Sequence, residues 1–364
     1  MPPLTGLKVV ELARILAGPW IGQTLADLGA EVTKVESPDG DDTRTWGPPF
    51  IEHDGVSSAA YFYSCNRGKT GLRADLKTPE GIAAVKALVR DADIFIENFK
   101  IGGLAKYGLN YESLHELNPR LIYCSVTGFG QTGPLAHLPG YDFLLQGMSG
   151  LMSVTGEPDG APQKVGVAVT DIVTGLYGTI GIMAAVEQRH TTGKGQYIDM
   201  SLLDCATALL ANQNMNFLAS GRSPSRMGNA HPNICPYDAF ETADGHVILA
   251  VGNDGQFTRC CVALGLSDLV NDARFETNRL RVKNRDDLLP ILSKAISTWT
   301  SKEFLAEMST QNVPAGPINS IGDNLCSEHV KARGLVVEPD GIKGVRTPIT
   351  FSDAKLRLDR SAPQ

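Results

Sequence analysis

Asp171, in the segment VAVTDIVTGLYG, is the residue whose type and setting most invite chemistry. The residues before it, Val165–Thr170, have the β-branched run of a strand, and those after it have the apolar spacing of a long helix. A carboxylate at such a junction meets unpaired N–H groups and the positive end of the helix dipole, which favour its ionised form. On residue type alone two readings stay open: an N-cap, and a functional carboxylate kept charged.

Competing chemistries lack their patterns. There is no GxSxG elbow and no Walker loop, and the seven histidines show neither HxH nor HxxxH spacing, so no metal site is expected. The first strand, turn and helix, VVELARILAGPW, lacks the G-x-G-x-x-G that lets a backbone approach a pyrophosphate; its turn is Ala13-Arg14-Ile15-Leu16-Ala17-Gly18-Pro19. Glu36, where a ribose-binding acid would sit, therefore reads as a solvated strand end. The seven cysteines are scattered, with Cys260-Cys261 adjacent and no CxxC pair, which suits reduced thiols in a cytoplasmic setting.

The elements that must hold these groups alternate along the chain. Leu7–Leu12, Glu31–Glu36, Asp93–Glu97, Leu121–Val126 and Tyr197–Met200 read as short buried strands, and Pro19–Leu28 as a helix stopping at Gly29. Thr78-Pro79 predicts an N-cap with proline at the first helical position, and Ile82, Val85, Leu88 and Val89 give that helix a core face. The helix from Asp171 runs to about His190, with Gly193 beyond its end. Ser201 and Asp204 open another that runs out before Gly221. Strands separated by helices predict an α/β fold with a parallel sheet and helices on its faces.

The composition changes at 221–236, GRSPSRMGNAHPNICP, a linker by its Gly, Pro, Ser and Asn. Tyr237–Glu241 and His246–Val251 then flank Asp244-Gly245, a hairpin signal. Two helix patterns follow, the second opening with Thr300-x-x-Glu303, and VPAGPIN (313–319) marks the exit from this α+β unit. The resulting division is a large domain from 1–205 and 320–364, a linker at 206–236 and a small domain at 237–319. A chain of 364 residues fits two cores better than one. A net charge of −7 with interspersed signs gives no footprint for nucleic acid, so an anionic ligand needs a local positive pocket. MPPLTGLKVVEL has no signal-peptide pattern, and no uninterrupted run of about 18 apolar residues predicts a membrane span.

A series of segments carries further information: LTGLKVVEL, LAGPW, LGAEVTKVE, DDTRTW, NRGKTGLRADLKTPEG, IENF, LNPRLIYCSVTGFGQTGP, GYDFLLQGMSGLMSVTGE, GKGQYIDMSLLD and VPAGPIN. In this order, over more than three hundred residues, the chain resembles the class III CoA-transferases, which include formyl-CoA transferase and α-methylacyl-CoA racemase. The resemblance implies a Rossmann-like large domain built from both chain ends, a small inserted domain, and a homodimer whose chains interlock like links. It implies acyl-CoA and a carboxylic acid as substrates, with no tightly bound cofactor.

Carried over by residue, the resemblance places the acyl-accepting aspartate on Asp171. It places CoA-binding positions on Leu16-Ala17, on Ala74 to Lys77, on Asn98-Phe99, on Lys106 and around Tyr141. Lys77 and Lys106 would meet phosphates, and the N–H groups beside Ala17-Gly18 open a helix end suited to anions. Residue type alone also fits Lys77 as a solvated neighbour of a cap and Lys106 as a surface charge. Similar racemases have histidine at Tyr141, in Gly140-Tyr141-Asp142; a phenol with a pKa near ~10 is a poorer base than imidazole. Transfer is therefore favoured over the two alternatives, an isomerase and a CoA-binding protein without turnover. GYD…GLMSVTG, the AHPNICPYDAF stretch and Gly252, Asn253, Gln256 and Phe257 resemble the succinyl-CoA-dependent transferases of dicarboxylates such as glutarate or itaconate. A distal carboxylate wants a cation, with Arg14, Arg44 and Arg226 as candidates. The family's mobile loop aligns with Gly228–Tyr237, which carries His231 and Asn233 but not the glycine-rich form.

Overall fold

The computed structural model describes all 364 residues. Its main sheet contains β1 (Lys8–Leu12), β2 (Glu31–Glu36), β5 (Thr70–Arg73), β6 (Ile94–Glu97), β7 (Ile122–Thr127) and β8 (Tyr197–Ser201). A separate hairpin, β3 (Phe50–His53) and β4 (Val56–Ala59), lies between β2 and β5 in the chain. The six-stranded sheet is parallel, in the order β5-β2-β1-β6-β7-β8. Counted by chain position this is 3-2-1-4-5-6, the doubly wound order in which the chain leaves β1 in one direction and returns at β6 to run in the other. Such sheets open a crevice at the carboxyl ends of the two strands where the direction switches.

The helices of this unit are α1 (Ala17–Asp27), α2 (Ala60–Ser64), α3 (Pro79–Arg90), α4 (Tyr111–Leu117), α5 (Asp142–Met148), α6 (Val169–Thr192), α7 (Leu202–Leu209) and α8 (Ala211–Ser220). Alternation along the strands feeds two cores. Val9, Ile94, Ile96 and Ile122 pack with Ile21 and Leu25 of α1 and Ile182 of α6. Val10, Leu12 and Phe95 pack with Val85 and Val89 of α3 and Leu114 of α4. Thr78 caps α3 as its sequence predicts, accepting from the Gly81 N–H, with Pro79 at the first helical position. Glycines let α6 lie close to α1: a Cβ on Gly175 would be 2.9 Å from Trp20 Cδ1 and 3.1 Å from the Ala17 carbonyl oxygen.

In this unit two of the elements expected from sequence come out differently. Val165–Thr170 is not a strand, and α6 already begins at Val169. The segment's backbone is satisfied by side chains instead of a ladder, Val165 N donating to Gln146 Oε1 and Thr170 N to Asp142 Oδ1. The helix opened by Ser201 breaks in two at Ala211, whose φ is +38°. By length and composition α6 is apolar enough to cross a membrane, a description that a core helix covering a sheet also meets.

The chain divides into two compact units, the larger formed by Met1–Leu151, Lys164–Arg222 and Glu328–Gln364, the smaller by Met152–Gln163 and Ser223–Ser327. The sequence-based boundaries therefore move: α8 belongs to the larger unit, and 152–163 joins the smaller. Backbone bonding explains the latter, since Gly228 N donates to the Gly156 carbonyl and Arg226 binds the carbonyls of Glu157, Pro158 and Gly160. The smaller unit pairs β9 (Tyr237–Thr242) with β10 (Gly245–Ala250), and β11 (Ala315–Pro317) adds a third antiparallel strand. VPAGPIN is thus a strand as well as an exit. Four helices, α9 (Asp254–Ala263), α10 (Asn278–Lys283), α11 (Arg285–Ile296) and α12 (Ser301–Thr310), stand where two patterns were expected. The Thr300–Glu303 capping box forms.

Candidate active site

The turn after β1 is held from two sides. Ile15 has φ +72°, a left-handed backbone that a β-branched residue adopts at a cost. On one side Asn98, just beyond β6, accepts from Arg14 N at 2.9 Å and donates to the Arg14 carbonyl at 2.7 Å. On the other, Asp41 Oδ1 lies 3.4 Å from Ile15 N, and the Cys65 thiol reaches the Ile15 carbonyl at 3.5 Å. Lys34 Nζ donates to the Ala13 carbonyl and Lys69 Nζ to that of Pro19, each at 2.9 Å. These ammonium groups pair with the carboxylates of Glu11 and Asp41, and all four side chains are fully buried. Gly22 makes the room, since a Cβ there would sit 1.7 Å from Glu11 Oε2. Two acids against two lysines leave the cluster neutral, the condition under which buried charge is tolerable.

A cavity of about 410 Å³ opens over this turn, where β1 and β6 end. Its walls are Arg14 to Ala17, Asn98 to Lys100, Val126 to Gly128, Ala136 to Tyr141, Asp171 and Leu202. A second cavity of about 270 Å³ is lined by Ala74 to Lys77, by β2 and the residues after it, and by Tyr107. Arg14 and Phe99 line both. Of the CoA-binding positions expected from sequence, Leu16, Ala17, Asn98, Phe99 and Tyr141 share the first cavity with Asp171, while Ala74 and Lys77 line the second. Lys106 lines neither; its Nζ lies 4.7 Å from the centre of the Tyr107 ring.

Asp171 is the third residue of α6, inside the helix, so the N-cap reading fails. Ala168 is the N-cap and supplies no side chain; the carboxylate that serves the helix end is Asp142, whose Oδ1 accepts from Thr170 N at 2.8 Å. Asp142 Oδ2 accepts from Gln146 Nε2 at 2.7 Å. Burial pushes the Asp171 carboxyl up to about 7, and the charge of Asp142 adds to the rise. The helix dipole acts in the opposite sense and is outweighed. The Tyr61 phenol is pushed up to about 12, first by burial and next by Asp171, which places it in the same field. Sequence reasoning singled out neither Asp142 nor Tyr61, nor His137 on the cavity wall. A signal existed for Asp142: it follows Tyr141 directly and stands four residues before Gln146, the spacing of a helix-face pair.

α1 begins at Ala17 with Leu16 as N-cap and no side-chain cap bond. The N–H groups of its first turn are left for another acceptor, and Leu16 and Ala17 are cavity wall. Below the turn, Glu97 accepts from Phe99 N at 2.7 Å, and burial lifts its carboxyl to about 7.

The expected distal-carboxylate cations part company. Arg44 is mostly buried, bound to both oxygens of Glu36, to Ser58 and to the Pro363 carbonyl, and stacked over Phe62. It holds structure and is no free cation. Glu36 is correspondingly no solvated strand end: burial raises its carboxyl, and Arg44 more than offsets this to leave it below the usual range. Arg226 spends its guanidinium on carbonyls of the smaller unit. His231 and Asn233 belong to that unit too, His231 Nδ1 accepting from Asn233 N at 3.0 Å. Arg14 lines both cavities and pairs at 2.8 Å with Asp42 in solvent, where such a pair holds a guanidinium weakly.

Comparison with known proteins gives this chain full-length relatives. The profile of CoA-transferase family III matches residues 4–364. The succinate--glutarate CoA-transferase of Agrobacterium fabrum is 58% identical over 371 residues, 100% of this chain and 93% of that protein. The human succinyl-CoA:glutarate CoA-transferase is 43% identical across 92% of this chain and 76% of its own length. A solved CAIB/BAIF family protein from Brucella suis shares 59% identity and superposes with a TM-score of 0.90, over 100% of this chain and 96% of that one. With the family profile and full-length relatives spanning the doubly wound sheet and both cavities, this chain belongs to CoA-transferase family III.

Proposed function

We propose that this protein moves CoA from succinyl-CoA to a dicarboxylate such as glutarate, with Asp171 carrying the acyl group. The observation that carries the reading is the Asp171 carboxyl on one cavity wall with Leu16, Ala17, Asn98, Phe99 and Tyr141. Membership of the family supports the thioester chemistry, and the printed activities of the relatives support dicarboxylates. Ionised Asp171 attacks the donor thioester carbonyl; the C–S bond breaks, CoA thiolate leaves and a succinyl–aspartyl anhydride forms. The thiolate then attacks the aspartyl carbonyl, succinate leaves, and Asp171 holds CoA as a thioester. The acceptor carboxylate opens that thioester, and the returning thiolate takes the new acyl group and frees Asp171.

A carboxyl with a pKa of about 7 is a stronger nucleophile than an ordinary carboxylate and is still substantially ionised at neutral pH. On this reading the N–H groups opening α1 receive the oxyanions, Lys77 meets the nucleotide phosphates and Arg14 meets the distal carboxylate, which their positions on the cavity walls support. Incubation with succinyl-CoA followed by hydroxylamine should convert Asp171 to its hydroxamate, seen by peptide mass. A screen of acids should yield glutaryl-CoA. Label reproducibly on another residue refutes the assignment. His137, on the same wall, favours proton exchange at the α-carbon as a second reading, supported if 2-methylacyl-CoA takes up solvent deuterium.

The same reading includes a homodimer. Leu176, Tyr177 and Ile180 of α6, and Met215, Phe217 and Leu218 of α8, are exposed large apolar side chains of the kind a partner covers.

A further inference from the structure

We infer that Asn98 serves the reaction as a positioning residue, acting through the Arg14–Ile15 turn and not as a hydrogen-bonding ligand of CoA. The inference rests on the CoA-transfer reading above. β1 and β6 pair in parallel register as far as Leu12 and Glu97. Beyond that point the backbones no longer form a ladder, and the Asn98 side-chain amide takes over. Its oxygen accepts from Arg14 N at 2.9 Å and its nitrogen donates to the Arg14 carbonyl at 2.7 Å, as the peptide of a neighbouring strand would.

Arg14 is the residue that leads into Ile15, whose φ of +72° persists only if its surroundings over-determine it. The opposite side of the turn is fixed by buried groups on other segments: Asp41 at Ile15 N, Cys65 at the Ile15 carbonyl and Lys34 at the Ala13 carbonyl. Asn98 completes this hold from the cavity side of β6. The turn's own residues, Arg14 to Ala17, are wall of the cavity that contains Asp171. Lys77, proposed above to meet the nucleotide phosphates, lines the other cavity with Ala74 to Leu76, and Asn98 is not part of that lining. Ala13 and Arg14 also reach that second cavity, but Ala74 to Lys77 stand on a separate segment, so loosening the turn moves the wall beside Asp171 while those contacts stay in place. A misplacement of about 1 Å at a reacting centre costs roughly a hundredfold in rate.

The test compares wild type with Asn98→Ala, using succinyl-CoA and glutarate for turnover and free CoA for binding. The thermal midpoint establishes that the variant is folded; Asn98→Asp, which keeps the acceptor for Arg14 N and loses the donor to the Arg14 carbonyl, replaces it if it is not. The expected result is a fall in kcat of about ten- to a hundredfold with KM for succinyl-CoA and Kd for CoA within about threefold of wild type. A tenfold or greater loss of CoA affinity with kcat retained would mean that Asn98 is a direct ligand, and a kcat within threefold of wild type would mean that the turn does not need it. Either overturns the inference. Wild type that binds CoA and transfers nothing overturns the functional reading itself, which separates the two failures.

Discussion

Asp171 carries two costs of its position, burial and the neighbouring Asp142, and both have a sign that can be measured. Its folded-state pKa of about 7 lies above the unfolded value near ~3.9, so between those values the folded chain holds a proton that the unfolded chain has lost. Stability from this group falls as pH rises through that window, and the cost is complete above it. Asp171→Asn removes the cost. The variant should melt higher than wild type at pH 8, with the difference closing toward pH 4, while transfer falls by at least about a thousandfold. A variant that melts lower at pH 8 would show that the carboxylate stabilises the fold. Wild-type kcat/KM should rise through pH 7 as Asp171 ionises. Glu97 titrates in the same range, so the difference between wild type and Asp171→Asn isolates the one group. Local patterning marked Asp171 only as a carboxylate at a helix entrance, and the resemblance to class III CoA-transferases singled it out as the acyl acceptor. Arg44 was not legible as structural, because its partners Glu36, Ser58 and Pro363 stand on three separate segments that only the fold brings together.

At the scale of elements, short apolar runs located each central strand to within a residue or so, since a strand buried on both faces leaves little choice of residue. Val165–Thr170 misled because β-branched residues suit any extended chain, and what decides between strand and loop is a neighbour to pair with. The helix contact that fixes the floor of the site was invisible for the same reason. α6 approaches α1 through Gly175, and a methyl there meets Trp20 and the Ala17 carbonyl within about 3 Å. Gly175→Ala should cost about 1–2 kcal/mol, the strain of overpacking less the helix propensity gained, and should reduce transfer because Ala17 is cavity wall. Gly181→Ala is the control: its Cβ would meet Ile198 at an ordinary 3.5 Å, so stability should hold or rise by up to about 1 kcal/mol. Denaturant midpoints of the two variants check both signs.

At the scale of the whole molecule, the proposed interlocked homodimer makes a prediction about dilution. Linked chains separate only by unfolding, so sedimentation at falling concentration should show dimer until unfolded chain appears. A folded monomer would contradict it. The larger unit also has a feature with a bearing on synthesis: it is assembled from three stretches of chain, and the smaller unit interrupts them. All six strands of its sheet are complete by Ser201, so the scaffold of the site has been translated before most of the smaller unit exists. The third stretch follows the smaller unit in the chain, and it brings the Pro363 carbonyl to Arg44, the Thr347 N–H to Asp27 and the Arg360 and Ser361 carbonyls to Gly68. During synthesis Asp171 and both cavity walls are therefore translated before the groups that lock Asp27 and Arg44. The larger unit is thus closed by chain made after the smaller unit, not by the emergence of the site.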